Sequence, residues 1–539
     1  MNRYWLILCL LSSAISYIDA QSLKSEEVDI VKPYQPTLAE ALKIKYLPDL
    51  PKFTVNKPSF EYQIPPKLLN LKYHSPNLSP VAVGTEKYND LTKMAISLGG
   101  GNRNTSYANI NYHNQFSAKS KSAYGITFNN ISSNSNKLAN QRFNKRDINA
   151  YTVHNLKLGD FSTYLGLNSH DVYFYGYDHT VETYSKNQAS QNFLNFTSGL
   201  KFDKKKFNDL DYKASLDFNY LINKFNATDM NINFKSWMTK LLFNTDSIDQ
   251  HKLNVDFGVK TNNYKDSIQT NRFMVKINPK YVYDSKDWYL SAGVDFTTTN
   301  GKAYIFPDFV AERTLIKKKL IFHNGWRGYL DFNTLTSMSN LNPFLASNVS
   351  LQNTRYENIY SGFKGLITTQ FGYNVNFSRT IIRNAPLLVN DTNDMRKFII
   401  IYDPVLTVNN LHLEFTYKRF DKLQLMLTAD YFDYTLKKEA KAWHKPSGKI
   451  NFSTIYNLGN KINIRAEIYF VDRIPVKLAN AQTLYIKGTT DINLHINYSY
   501  SSNISIFLNL NNLASVKWER WYHYKTYGFN GLFGLKLKF

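Results

Sequence analysis

The chain has 539 residues, 43% hydrophobic and 15% aromatic, with a mean hydropathy of -0.40 and a formal net charge of +23. No segment supplies the ~20 consecutive apolar residues that a spanning helix needs, so a helical membrane protein is excluded. The single cysteine, Cys9, excludes a disulfide-stapled fold and a thiolate metal site.

Residues 1–20 predict a secretory signal peptide. Arg3 supplies the positive start, residues 5–11 the apolar centre, and Ala20 before Gln21 the small-residue cleavage point. Cys9 falls within this segment, so the exported chain carries no thiol. Residues 21–84 hold nine of the sixteen prolines. Proline lacks the amide donor that a sheet ladder requires, so this stretch predicts an extended periplasmic or lumenal segment rather than central strands. Its one helical exception is Thr37-Leu38-Ala39-Glu40, a capping box that opens a short helix through about Lys45.

From Leu91 onward the chain predicts long alternating strands. Gly99-Gly100-Gly101 is expected to turn the first hairpin; it lacks the lysine and following helix of a phosphate loop. Leu253, Val255, Phe257 and Val259 alternate with Asn254, Asp256, Gly258 and Lys260, and residues 411–418, 461–470 and 491–500 repeat the pattern. With a side-chain period of two, each becomes a ribbon with one apolar and one polar face. The polar faces carry both signs of charge, which suits a wet lumen better than a sandwich core. Leu458-Gly459-Asn460 and Asn208-Asp209 are expected as short periplasmic turns, and residues 337–354 and 383–394 as extracellular loops. Trp518, Trp521, Tyr522, Tyr524 and Tyr527 are expected in an interfacial aromatic girdle. The chain ends Phe533, Leu535, Leu537, Phe539 with Gly534, Lys536 and Lys538 interleaved. A terminal aromatic on such a strand marks Phe539 as a barrel-assembly signal.

These elements predict an all-β fold: a transmembrane antiparallel β-barrel over residues 85–539, of about 22 strands (20–22), preceded by the Pro-rich segment. A barrel this wide is not filled by its own side chains and needs a channel or a plug. Its 65 Lys and Arg against 42 Asp and Glu raise the question of nucleic acid. The basic residues are scattered or sit in short runs such as residues 204–206 and 317–319, without a recognition helix or RNA-binding aromatics. Nucleic acid is therefore not expected; lumen and rim positions are. No catalytic, cofactor or metal residues are predicted. His154, His170 and His179 fall on different elements, and Ser447 between Pro446 and Gly448 sits in a loop, not a nucleophile elbow.

Several strings carry a family resemblance: Tyr304-Ile305-Phe306-Pro307-Asp308, Gly325-Trp326-Arg327-Gly328-Tyr329-Leu330, Asn342-Pro343-Phe344 and Tyr360-Ser361-Gly362-Phe363-Lys364-Gly365. Asn511-Asn512-Leu513, Trp518-Glu519-Arg520-Trp521 and Gly528-Phe529 extend it to the last strand. The chain resembles TonB-dependent receptor-like outer-membrane proteins, and Glu27, Val28, Asp29, Ile30 and Val31 before Lys32-Pro33 resemble a TonB box. That family closes its barrel with a large N-terminal plug. Residues 21–84 are too few for one, so the resemblance implies a receptor-like barrel lacking a complete plug. The implied function is an outer-membrane barrel, reached by signal-directed export, that passes or binds a polar solute without chemistry. The alternative is a non-transporting structural or assembly subunit of an outer-membrane complex. Implied partners are outer-membrane lipid, the barrel-assembly machinery, and a capping protein or TonB.

Overall fold

The computed structural model describes residues 93–539, except 115–120, 136, 205–209, 245–248, 347 and 460. The expected signal peptide, the Pro-rich segment with its capping box, residues 27–31 and the turn at Asn208-Asp209 lie outside the described residues.

Alternation becomes a closed cylinder. Twenty-two strands form one antiparallel sheet in which each pairs with its neighbour in sequence. The first, Met94–Gly101, also pairs with the last, Asn530–Lys538. The alternating stretches lie in Gln250–Lys265, Phe398–Arg419, Ile462–Val471 and Thr489–Ser499. Their apolar sets face outward: Phe257, Leu411, Ile468 and Phe470 are exposed, as are Phe309, Trp326, Ile359 and Phe377 elsewhere around the wall. A belt of this kind on all sides is stable only against lipid, and closure leaves no strand edge unpaired in it. The architecture is that of an outer-membrane barrel.

Gly99-Gly100-Gly101 does not turn the hairpin; it ends the first strand, and the turn is made by residues 102–104. The glycines are required by closure. Gly99 is paired directly with Gly534 under the Phe507 ring. A Cβ on Gly534 would come within 2.3 Å of the Leu98 carbonyl oxygen. Phe539 completes the seam, exchanging backbone hydrogen bonds with Met94 while its side chain stays exposed.

The two ends of the barrel differ. The end carrying Phe539 has short turns, such as residues 156–158, 285–287, 317–319 and 420–422. Gly459 at φ +57° and Lys318 at φ +62° supply the left-handed geometry that two of those turns need. The opposite end carries the long connections, among them residues 174–189, 333–352, 437–447, 472–488 and 512–529. The first contains the helix α1 (Lys186–Ala189) and the second the helix α2 (Leu335–Leu341). Two small hairpins stand in the last two, Ile474–Lys477 with Thr483–Ile486 and Glu519–Trp521 with Tyr524–Lys525.

Two expectations are corrected here. Residues 383–390 are not loop but the upper part of Phe371–Asn390, paired with Phe398–Arg419; the connection is residues 391–397. Trp521 and Tyr524 do not face lipid: both are buried within the loop end.

Candidate solute-binding lumen and its loop-side closure

The inner face of the wall is polar because the lipid face takes the alternate, apolar positions. On six consecutive strands, Gln250–Lys265 to Asn353–Leu366, this places opposite charges within reach. Lys280 Nζ lies 2.8 Å from Asp256 and 3.2 Å from Asp308, and Arg327 Nε lies 2.8 Å from the other oxygen of Asp308. Asn278 donates to Asp308 at 2.9 Å. Lys276 pairs with Asp295, Lys364 with Glu312 at 2.6 Å, and Lys260 with Asp331 at 3.0 Å. Buried charges are tolerated only when paired in this way. Beside the network lies a cavity of about 530 Å³, lined by Asn278, Asp308 and Arg327 on one side and Tyr329, Tyr356 and Tyr360 on the other. Tyr329 and Tyr356 stack at 4.8 Å between ring centroids. The site therefore offers fixed charges of both signs and flat aromatic faces.

The wall changes course beside this cavity. Lys302–Ile316 pairs with Leu320–Phe332 only from Ile316↔Leu320 up to Asp308↔Arg327. Above that point the second strand departs from the first, and Asp331 reaches Lys260 on Gln250–Lys265, four strands away from its own. Phe306, Met274, Leu330 and Phe332 fill the resulting gap as a small apolar cluster.

At the loop end, the connections pack on one another and on the strand tops. Leu335, Met338 and Leu345 from residues 333–352 pack with Val172, Phe193 and Leu221 from strand tops, and with Phe398, Trp521 and Tyr524. Phe344 stacks on Tyr524 at 3.7 Å, with Tyr175 edge-on to Tyr524 at 4.9 Å and Phe398 against Trp521 at 5.4 Å. Connections that start far apart on the rim thus share one apolar core. Polar contacts anchor it to the wall. The Thr336 amide and hydroxyl donate to Asp229 at 2.8 and 2.7 Å, and Asn262 donates to the same carboxylate at 2.6 Å. Arg272 bridges Asn262, at 3.0 Å from Nε, and the Asn333 carbonyl at 2.8 Å. The Tyr524 hydroxyl donates to the Arg396 carbonyl. Burial, then the neighbouring Tyr175, push that hydroxyl well above the ordinary tyrosine value, so it stays a donor. Burial alone would raise the Asp394 carboxyl, but Arg396 at 2.8 Å and Lys397 at 3.2 Å hold it below the ordinary range.

The sequence-predicted positions divide accordingly. Phe539 sits at the closure seam. His154 meets Ser122 at 2.8 Å, His179 meets the Tyr175 carbonyl at 3.0 Å, and His170 borders a separate polar cavity. Among the described residues, no group of three His, Cys, Asp or Glu could hold a metal ion. Ser447 donates to Asp472 at 2.7 Å, a loop contact. Asp229, Arg272 and Lys280 were not singled out from the sequence, and Asp308 only as part of a resemblance string. Their only signal is parity: each occupies the inward position of its strand.

No protein-family model matches the chain, and no curated protein matches it. Solved structures do. The ferric-catecholate import receptor Fiu of Escherichia coli K12 superposes with a TM-score of 0.64 at 10% identity, over 84% of this chain and 82% of that one. The siderophore receptor PirA of Acinetobacter baumannii gives 0.67 at 9% identity, over 84% and 81%. The ferric enterobactin receptor PfeA of Pseudomonas aeruginosa gives 0.64 at 11% identity, over 84% and 82%. The fold of these receptors is therefore the fold of this chain.

Proposed function

We propose that this chain is an outer-membrane receptor barrel that admits a polar solute from its loop side, binds it on the charged lumen wall and passes it inward. One observation carries the reading: a polar, ion-paired lumen runs inside an apolar-belted cylinder whose loops share one apolar core at one end. A cylinder built only for structure has no need of a lumen presenting charge and aromatic faces together. The barrel performs no chemistry on the solute; it supplies binding and a gate. The similarity to import receptors supports this role without naming the solute. Residues 27–31 are the proposed TonB contact through which the gate is opened, and Phe539 the proposed assembly signal.

Full-length protein in planar bilayers tests the gate. The native protein should conduct rarely, and Trp521→Ala with Tyr524→Ala should raise its open probability at least several-fold. Silence of both proteins would overturn the reading. The packed loop end also favours a second role, a non-transporting subunit held in an outer-membrane complex. That role predicts a stoichiometric partner in mild-detergent purification and no conductance from either protein.

A further inference from the structure

A second, smaller cavity lies on the lumen side near the loop end, lined by the strands that follow the ion-paired network around the wall, from Phe371–Asn390 to Gly448–Leu458. It measures about 360 Å³, within the range of small-ligand sites. Its lining differs in kind from that of the larger cavity. Lys445, Lys449 and Arg520 converge on it from three elements: the loop of residues 437–447, the strand Gly448–Leu458, and the hairpin strand Glu519–Trp521. None of the three cations makes an ion pair with a described carboxylate. Lys449 and Arg520 instead lie near aromatic rings, 5.7 Å from the Phe432 centroid and 5.2 Å from that of Trp521.

The acids nearby are already engaged. Asp430, the register partner of Lys449, shares a 2.8 Å hydrogen bond with His412 and accepts from Asn410. Asp472 accepts from Ser447. Burial, and then Lys449 and Arg520, press the Lys445 ammonium below its ordinary value, as expected for like charges gathered without a counterion.

An independent observation points to the same place. His444, which lines the cavity, is 3% exposed, and neither ring nitrogen has a hydrogen-bond partner. Its backbone is held at φ +57°, which a non-glycine residue adopts at a cost. The loop that presents it is fixed. Asp403 accepts the amides of Lys437, Lys438 and Glu439 at 3.2, 2.9 and 2.7 Å, and Glu439 accepts from Trp443 at 2.8 Å and Lys477 at 2.7 Å. Strain, an unsatisfied buried imidazole and three cations without an ion pair in one rigid pocket mark a site built for a missing anion.

We infer that Lys445, Lys449 and Arg520 form a lumenal binding site for a small oxyanion carried on a flat apolar body. The cations hold the phosphate, sulfate or carboxylate head, and Phe432, Tyr434 and Trp521 face the body. The site rests on the receptor reading, and narrows its solute to the anionic, partly aromatic class.

Calorimetry on the full chain in neutral detergent tests it with phenyl phosphate as probe. Phenyl phosphate should bind, inorganic phosphate should bind more weakly, and phenol and benzylamine should give no heat. Lys445→Gln with Arg520→Gln should weaken phenyl phosphate at least tenfold, while Lys318→Gln in a turn at the other end should not. Heat-modifiable gel mobility checks that each variant is folded. Should the double variant not fold, Lys449→Gln alone carries the test, with a loss of threefold or more. Phosphatidylglycerol micelles should not compete; competition would move the site to lipid and overturn the lumenal assignment. Absent or variant-insensitive binding of phenyl phosphate also overturns it. A barrel that binds phenyl phosphate here yet conducts nothing in bilayers would retain this site and lose the transport reading.

Discussion

Single atoms decide whether the cylinder closes and how its loop end responds to acid. At the seam, Gly99→Val or Gly534→Val drives a branched side chain into a backbone carbonyl and the Phe507 ring. Overpacking of this kind costs about 1–3 kcal/mol. The expected result is a lower temperature for the gel-mobility shift of the folded barrel, with Gly531→Ala, where the nearest contacts are movable side chains beyond 3.4 Å, close to native. His444 gives a pH prediction. Burial, then Arg520, push its folded value down to about 3 from an ordinary 6.5. The unfolded loop takes up the proton first. The neutral imidazole's contribution is therefore complete above about pH 6.5 and is lost as pH falls from there toward 3. Hydrogen exchange in residues 437–447, corrected for intrinsic rate, should accelerate over that window in the native protein and not in His444→Phe. The glycines show what sequence reading missed at this scale. A Gly-Gly-Gly run reads as a turn, and only the partner strand hundreds of residues away shows that it is a close approach.

At the scale of elements, the helix α2 is the part most exposed to test. It is short, and its own hydrogen bonds cannot hold it; the Thr334–Ser337 capping box and the Thr336–Asp229 contact fix it against the inner wall. Thr336→Val removes the hydroxyl contact and leaves the amide. An expected loss of about 1–2 kcal/mol would release residues 333–352 to limited proteolysis at a rate roughly tenfold above native. Unchanged cleavage would mean that the apolar core alone holds the loop. The strands were legible wherever one face meets lipid, as in Gln250–Lys265 and Ile462–Val471. Phe398–Arg419 has about twice the 9–11 residues a tilted strand needs to cross. Past the membrane the lipid stripe no longer dictates alternation, and in residues 383–390 Ala385, Leu387, Leu388 and Val389 are all buried. Such a stretch, with Pro386 inside it, reads as a loop. Trp521 and Tyr524 misled for a related reason: an aromatic reads the same in sequence whether it meets lipid or other loops.

For the whole molecule, the proposed passage makes the charge on the lumen wall the determinant of selectivity. Asp308 balances Lys280 and Arg327, so Asp308→Asn leaves two cations facing the channel against one remaining acid, Asp256. In a salt gradient across a bilayer, a loop-opened variant carrying this change should shift its reversal potential toward anion selectivity. A shift toward cations would show that current does not run past this network. The barrel class and strand number were legible from periodicity, and the lumen's polarity followed. The pairings within it were not, because they join strands whose order around the ring must first be known. The seam between Met94–Gly101 and Asn530–Lys538 carries a consequence for biogenesis. A nascent polypeptide halted anywhere before Asn530 is an open sheet with two bare margins, prone to zip onto another molecule. Closure of the wall must therefore wait until both of these portions are present, with its first and last strands meeting as the final step.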